Sequence, residues 1–145
     1  VLPLKRPPLV REHRLYQSDW LMRFYGFTPA DVAGGMDDGM LPLDIDPKLA
    51  WALRFREQFP VDVNRAPKEA LLRVPGLGTK GVKRILQSRQ WRKLTLADVG
   101  RLTLSVVKIR PFVITSDWRP TLLIDRADLR ALMTPKARQL ELFAA

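Results

Sequence analysis

The sequence predicts an all-α fold, in which a helical linker region precedes two helical hairpins. Two observations predict it: apolar residues recur at helical spacing in successive segments, and these segments start at capping residues and stop at glycine or proline. With 145 residues, 46% of them hydrophobic, the chain can bury a core. We expect a helical subdomain over 1–58, a hairpin domain over 59–119, and a tail over 120–145 with a short helix at 125–132.

The first helix is predicted over residues 9–25, where it stops before Gly26. An aromatic stripe along it, expected to pack in the core, comprises Tyr16, Trp20 and Phe24, beside Leu21. Thr28 followed by Pro29 predicts the start of a second short helix, which ends at the glycine pair 34–35.

A turn-rich linker over 34–46 carries four aspartates, namely Asp37, Asp38, Asp44 and Asp46. We expect no metal site there, because hard cations need more oxygen ligands in fixed geometry. Asp46 instead precedes Pro47 and is expected to cap a helix that runs to about residue 57.

Composition excludes several kinds of site. The chain has no cysteine and one histidine, His13, which rules out disulfides, thiolate zinc sites and cysteine nucleophiles, and argues against a histidine metal cage. No catalytic constellation is recognisable. The sequence has no signal-peptide core and no long apolar run, so a cytoplasmic protein is expected. Because the chain begins at Val1 and not at Met, we expect it to be a piece of a longer polypeptide.

Positive charge is concentrated in one segment. The formal net charge is +10, and residues 64–119 hold 13 Lys and Arg against three acidic residues, which accounts for the whole excess. A charge run is often only a solvated face. Its confinement to one segment nevertheless favours a polyanionic partner.

The most informative stretch is 63–85, VNRAPKEALLRVPGLGTKGVKRI. Asn64 is expected to cap a helix that Pro75 and Gly76 stop. Its apolar face consists of Ala66, Ala70, Leu71 and Val74. A second helix is expected from about Thr79. It buries Val82, Ile85, Leu86 and the stem of Arg89, and exposes Lys80, Lys83, Arg84 and Gln87.

The Pro-Gly-Leu-Gly turn between these helices has the features of an anion site. Gly76 and Gly78 have no side chains, so a phosphate can approach the backbone, and the amide groups at the start of the second helix point outwards. Leu77 is expected to anchor the turn. Phosphate contacts are therefore predicted at Gly76, Leu77, Gly78, Thr79, Lys80, Lys83 and Arg84. Contacts of this kind do not select a base sequence and depend strongly on salt.

The pattern formed by Val-Asn-x-Ala, Leu71, Val74, Pro-Gly-Leu-Gly, Val82 and Ile85 resembles the helix-hairpin-helix DNA-binding motif. Proteins with this motif often carry two hairpins in tandem. Residues 91–113 resemble a degenerate second copy, whose first helix would contain Leu96, Asp98, Val99 and Leu102. Its turn, 102–106, lacks the glycine pair. We expect this half mainly to pack, with Lys108 and Arg110 as secondary DNA contacts.

A wider resemblance covers most of residues 9–119. The segments EHRLYQSDWLMRFYGF (12–27), LDIDPKLAWALR (43–54) and FPVDVN (59–64) are similar to the carboxy-terminal part of bacterial DNA modification/repair radical SAM proteins. That resemblance implies an upstream domain with a [4Fe-4S] cluster and S-adenosylmethionine. This chain has no cysteine to hold the cluster, so no catalytic residue is carried over and the catalytic half is expected before Val1.

The last residues carry a second resemblance. Gln139, Leu140, Leu142 and Phe143 are similar to the Gln-Leu-x-Leu-Phe peptide with which many bacterial replication and repair proteins dock on the sliding clamp. The glutamine would supply hydrogen bonds and the apolar side chains would fill a pocket. Amphipathic packing of the tail is the alternative.

The sequence therefore favours a DNA-binding module that delivers a missing radical enzyme to DNA without base specificity. Two alternatives stay open: an enzyme within these residues, and a protein-interaction or RNA-binding scaffold that uses the same basic face. A third is that Trp51, Trp91 or Trp118 stacks on unpaired bases. Packing in the core or at an interface is the expected role of all three tryptophans.

Overall fold

A computed structural model describes residues 9–36, 39–120 and 125–134. These residues are mostly helical, in keeping with the predicted all-α class. The helices are α1 (Leu9–Phe24), α2 (Pro29–Gly34), α3 (Pro47–Arg54), α4 (Lys68–Leu71), α5 (Thr79–Ser88), α6 (Leu96–Leu102), α7 (Val106–Ile109) and α8 (Leu129–Met133). Short 3₁₀ turns follow α3 at Arg56–Gln58 and α7 at Arg110–Phe112.

Side-chain caps start three of these helices. Thr28 before α2 and Thr95 before α6 each form a capping box with the aspartate three residues later, Asp31 and Asp98. Asp46 accepts from the Leu49 amide at 2.7 Å and so caps α3, as predicted. That helix ends at Arg54 rather than near residue 57, because the chain tightens into the 3₁₀ turn.

One parallel pair of two-residue strands ties the two halves of the hairpin region together. Strand β1 (Val61–Asp62) pairs with β2 (Val113–Ile114) in the register Val61 to Val113. The Val63 amide extends the pairing with a 3.0 Å bond to the Ile114 carbonyl. The strand pair therefore joins the segment before the first hairpin to the segment after the second.

A single cluster of buried side chains runs through all these elements. Phe112, Leu71, Leu77 and Ile85 are among its fully buried members. Trp51 of α3 packs edge-on against Phe59 at 6.1 Å between ring centroids, and Phe59 packs on Phe112 at 5.3 Å. The core therefore continues across the predicted boundary at residue 58.

The sequence prediction for Asn64 is wrong. Helix α4 begins at Lys68 with Pro67 at its cap position, and no side chain caps it. The Asn64 side chain instead accepts from the Leu94 amide at 2.7 Å and donates to the Leu94 carbonyl at 3.1 Å. These two bonds clamp the first hairpin to the segment that leads into α6.

The aromatic stripe of α1 is also not part of the core. Helix α1 packs through Ser18 and Leu21, which are buried. Tyr16, Trp20 and Phe24 are 72%, 49% and 50% exposed. The stripe lies beside the buried face because the helix contacts its neighbours through the small Ser18 and not through the rings.

Candidate nucleic-acid interface

The turn between α4 and α5 has the predicted anchor. Leu77 is 1% exposed, whereas Gly76 and Gly78 on either side are exposed. Gly76 has a φ of +83°, a conformation that side-chain-bearing residues rarely adopt. A Cβ at Gly76 would lie 2.9 Å from the Cβ of Lys108. Gly76 therefore permits both the turn and its close packing on α7.

Gly78 has a different role. It occupies the cap position of α5 with extended backbone, and no side chain caps the helix. A Cβ at this position would meet only the Tyr25 hydroxyl, at 3.7 Å. The space around Gly78 is therefore open on every side except that of the Tyr25 hydroxyl. The first amides of an α-helix have no partner within the helix, and here the Thr79 amide donates to the Tyr25 hydroxyl at 3.2 Å.

Positive side chains surround this helix start. Lys80 and Arg84 line a shallow cleft of about 390 Å³ together with Gly78 and Thr79. Lys83 lies on the neighbouring side of α5, where it lines a second cleft with Lys68. Both clefts are open to solvent. Of the second hairpin, Lys108 is exposed and packs its stem against Gly76, and Arg110 is exposed.

Most of the predicted DNA contacts lie on one exposed surface, formed by α5, the turn before it and Lys108 of α7 beside that turn. We call this surface the hairpin face. It comprises Gly76, Gly78, Thr79, Lys80, Lys83, Arg84 and Lys108. Two predicted contact residues are not part of it. Leu77 is buried, its amide donates to the Val74 carbonyl and its carbonyl accepts from Lys48, so it anchors the turn and offers no contact of its own. Arg110 is exposed but lines neither cleft. As predicted, α5 buries Val82 and Ile85.

Several arginines of the basic segment are engaged in holding the fold. Arg89 donates to the carbonyls of Val63 and Ala66, at 3.1 and 2.6 Å. Arg73 pairs with Asp31 at 3.0 Å and lies over the ring of Phe27. Arg89 therefore stabilises the hairpin internally, whereas Arg73 ties it to α2 and the loop before α2. The positive charge available at the hairpin face is smaller than the sequence count.

Arg92 and Arg101 both pair with the buried carboxylate of Asp98, Arg92 at 2.6 Å. Hydrogen bonding from the Thr95 backbone, with further help from the Thr95 hydroxyl and the two arginines, lowers the pKa of Asp98. The carboxylate therefore stays ionised and binds both arginines at the base of α6. They were counted in the basic excess but have this structural role.

Lys48 is a residue that the sequence analysis missed. It is buried under the turn, where its Nζ donates to the Leu77 carbonyl at 2.6 Å and lies 4.4 Å from the centroid of the Tyr25 ring. Burial lowers the pKa of Lys48 from 10.5 to about 7, with the Asp46 carboxylate opposing and Arg73 adding to the shift. Lys48, Trp51 and Phe55 are spaced to lie on one side of α3 and its C-terminal end, and this spacing was the sequence signal that Lys48 could be buried.

This pKa shift predicts a rise in stability with pH. The unfolded chain keeps the Lys48 proton up to about pH 10.5, whereas the folded chain releases it near pH 7. Between these values the unfolded state binds more protons, so the free energy of unfolding should rise with pH by at most about 1.4 kcal/mol per unit from this group. Urea unfolding of Lys48→Met from pH 6.5 to 9.5 should lack that rise. Equal slopes for the variant and the wild type would contradict the assignment.

The tryptophans differ from one another. Trp51 is buried, and Trp118 is partly buried with its Nε1 donating to the Arg110 carbonyl at 2.9 Å. Trp91 is 85% exposed and is therefore not part of the core of the described residues. Gln139, Leu140, Leu142 and Phe143 lie outside the described residues.

Two of the linker aspartates have partners. Asp44 pairs with Arg130 at 2.7 Å, Asp46 caps α3, and Asp37 and Asp38 lie outside the described residues. Within 9–36, 39–120 and 125–134 no cluster of three or more potential metal ligands occurs. No helix in these same ranges is long and apolar enough to cross a membrane.

Comparison with known proteins found no match to this chain among protein-family models, curated proteins or solved structures.

Proposed function

We propose that this chain binds DNA through backbone phosphates at the hairpin face, without base specificity. The observation that supports this most is the exposed start of α5, where Gly78 has no side chain and leaves an approach between Lys80, Arg84 and the turn, beside the Tyr25 hydroxyl that accepts from the Thr79 amide. Exposed amides and a helix dipole favour an anion there. The adjacent cations extend the site along a polyanion rather than around one isolated phosphate.

The α4–α5 and α6–α7 pairs are best interpreted as tandem helix-hairpin-helix units. Each pair is joined by a short turn, and Asn64, β1 and β2 tie the two together. The two connections differ in the leucine that each contains: Leu77 is buried, whereas Leu104 is fully exposed. The second turn therefore lacks the anchored, glycine-flanked form, and we assign it a packing role with Lys108 and Arg110 as secondary contacts.

The chain would serve as the DNA-targeting part of a longer radical SAM DNA modification/repair protein. The chain has no cysteine, so its residues do not fit a [4Fe-4S] cluster, and the cluster and S-adenosylmethionine would belong to another part of that protein. This assignment rests on the resemblance of residues 9–119. A sliding clamp bound through residues 139–143 would be a further partner.

A matched pair of double variants tests the DNA site. Lys80→Gln/Arg84→Gln removes two charges from the hairpin face. Arg65→Gln/Lys93→Gln removes the same charge from two exposed positions near the other end of α5. The loops that carry these two residues are held there by the bond from Arg89 to the Ala66 carbonyl and by the bond from the Leu94 amide to Asn64. We expect the first variant to weaken duplex binding and to lower the salt slope by about 2, since each phosphate contact contributes about 0.9.

Fluorescence anisotropy with a labelled duplex measures both quantities. The control variant should keep the salt slope within about 0.5 of the wild-type value. Equal losses in the two variants would mean that general charge, and not the hairpin face, attracts DNA. A protein or RNA partner would then become the better account of the basic segment.

A further inference from the structure

A cleft of about 470 Å³ opens between α1 and the turn of the first hairpin. Its walls include Tyr16, Trp20, Tyr25 and Leu104, and Lys48 and Gly78 also line it. The volume is within the range of sites for small organic groups. Its aromatic walls distinguish it from the hairpin face, whose exposed side chains are mostly basic.

Two of the three exposed rings of α1 line this cleft. Tyr16 and Trp20 are 72% and 49% exposed, and Trp20 is held by Phe24 at 4.4 Å between ring centroids. Neither ring contributes to the buried core of the described residues. Leu104 of the degenerate turn, which is fully exposed, forms a further wall. Aromatic faces presented in this way are the surfaces on which nucleobases stack.

The cleft and the basic cleft at the start of α5 share a boundary. Tyr25, Gly76, Gly78 and Leu104 line both. Tyr25 lies between the two clefts: its hydroxyl accepts from the Thr79 amide at the start of α5, and its ring lies against Lys48 in the aromatic cleft. One nucleotide can therefore place its phosphate at the helix start and its base on the other side of Tyr25.

From this arrangement we propose that the aromatic cleft binds an unpaired nucleobase of the DNA strand whose phosphate lies at the hairpin face. Bases inside a duplex are stacked and do not reach such a cleft, so the occupant is a base from a single strand, a frayed end or an extruded position. Asp46 and Lys48 both line the cleft, so its own charges oppose each other, whereas the adjoining Lys80 and Arg84 favour an occupant attached to a phosphate over an apolar protein side chain. The proposal rests on the proposed function.

The test compares a fluorescein-labelled single-stranded 12-mer with a blunt duplex of the same length. Trp20→Ala is expected to weaken single-strand binding on the order of tenfold and to leave duplex binding within about twofold. Trp20→Phe keeps an aromatic face and should restore most of the loss. Trp91→Ala, which truncates an exposed tryptophan that does not line the cleft, should change neither.

The outcomes separate this proposal from the one on which it rests. Unchanged single-strand affinity in Trp20→Ala, with duplex binding intact, would overturn the base site and leave the phosphate site in place; the cleft would then suit an apolar side chain of a protein. Equal losses on both DNAs would also overturn the base site. Absence of binding to either DNA by the wild type would overturn both proposals. Circular dichroism melting confirms that each variant is folded.

Discussion

Gly76→Val should destabilise the fold by about 3 kcal/mol or more, whereas Gly78→Val should cost within about 1 kcal/mol. A valine at 76 would need a φ near +83°, and its Cβ would overlap the Lys108 stem at 2.9 Å and Ile109 at 3.2 Å. Gly78 has extended backbone and only the Tyr25 hydroxyl nearby. Urea unfolding of the two variants measures the difference.

The same two variants also distinguish an effect on stability from an effect on DNA binding. Gly78→Val places an isopropyl group where a phosphate would approach, so it should weaken duplex binding at least tenfold while the protein stays folded. Loss of binding in Gly76→Val carries no such information, because that variant disturbs the packing of α7. Equal stability of the two variants would contradict the assigned role of Gly76.

Leu77→Ala and Gly81→Ala should be strongly non-additive. Leu77 is fully buried beneath the turn, and its truncation should cost about 3 kcal/mol. A Cβ at Gly81 would lie 2.9 Å from Leu77 Cδ1 and 3.2 Å from Thr103 Cγ2. Alone, Gly81→Ala should therefore destabilise by about 1 to 2 kcal/mol, despite the better helix propensity of alanine.

In the Leu77→Ala background the sign should reverse. The closest atom to the new methyl group is then absent, so Gly81→Ala partly fills the cavity and gains helix propensity of up to about 1 kcal/mol. Chemical denaturation of all four proteins gives the coupling energy, expected on the order of 2 kcal/mol. Additivity within about 0.5 kcal/mol would show that Leu77 does not pack against the first turn of α5.

Local patterns predicted the hairpin because its main features are local. Thr28 and Thr95 cap the helices that follow them, and the spacing of Val82 and Ile85 gives the buried face of α5. The anchoring of Leu77 between two glycines was predictable for the same reason. Each of these features is determined by residues within one or two helical turns.

Features that depend on contacts between distant segments were not predictable. Asparagine is a common helix-capping residue, yet the Asn64 side chain bonds to the backbone of Leu94, 30 residues away. Strand β1 pairs with a segment about 50 residues later in the chain. Each strand has only two residues, which is too short for the alternation of apolar and polar residues that identifies a strand in a sequence. Helical spacing could identify the stripe containing Trp20 but could not distinguish a core face from the wall of a cleft.

Charge counting had a similar limit. The sequence gives 13 basic residues in 64–119 but does not distinguish Arg73, Arg89, Arg92 and Arg101, which hold internal partners, from the lysines of the hairpin face. Partners such as Asp31 and the Ala66 carbonyl are brought near only by the fold. The burial of Lys48 arises in the same way, since Leu77 is 29 residues from it.

The most direct test of the account is the affinity of the wild-type chain for two labelled duplexes of unrelated sequence, measured over a series of salt concentrations. We expect equal affinities for the two duplexes and a linear fall of log affinity with log salt, because phosphate contacts do not select a base sequence and release counterions. Failure to bind at low salt, or binding that salt does not weaken, would contradict phosphate recognition at the hairpin face.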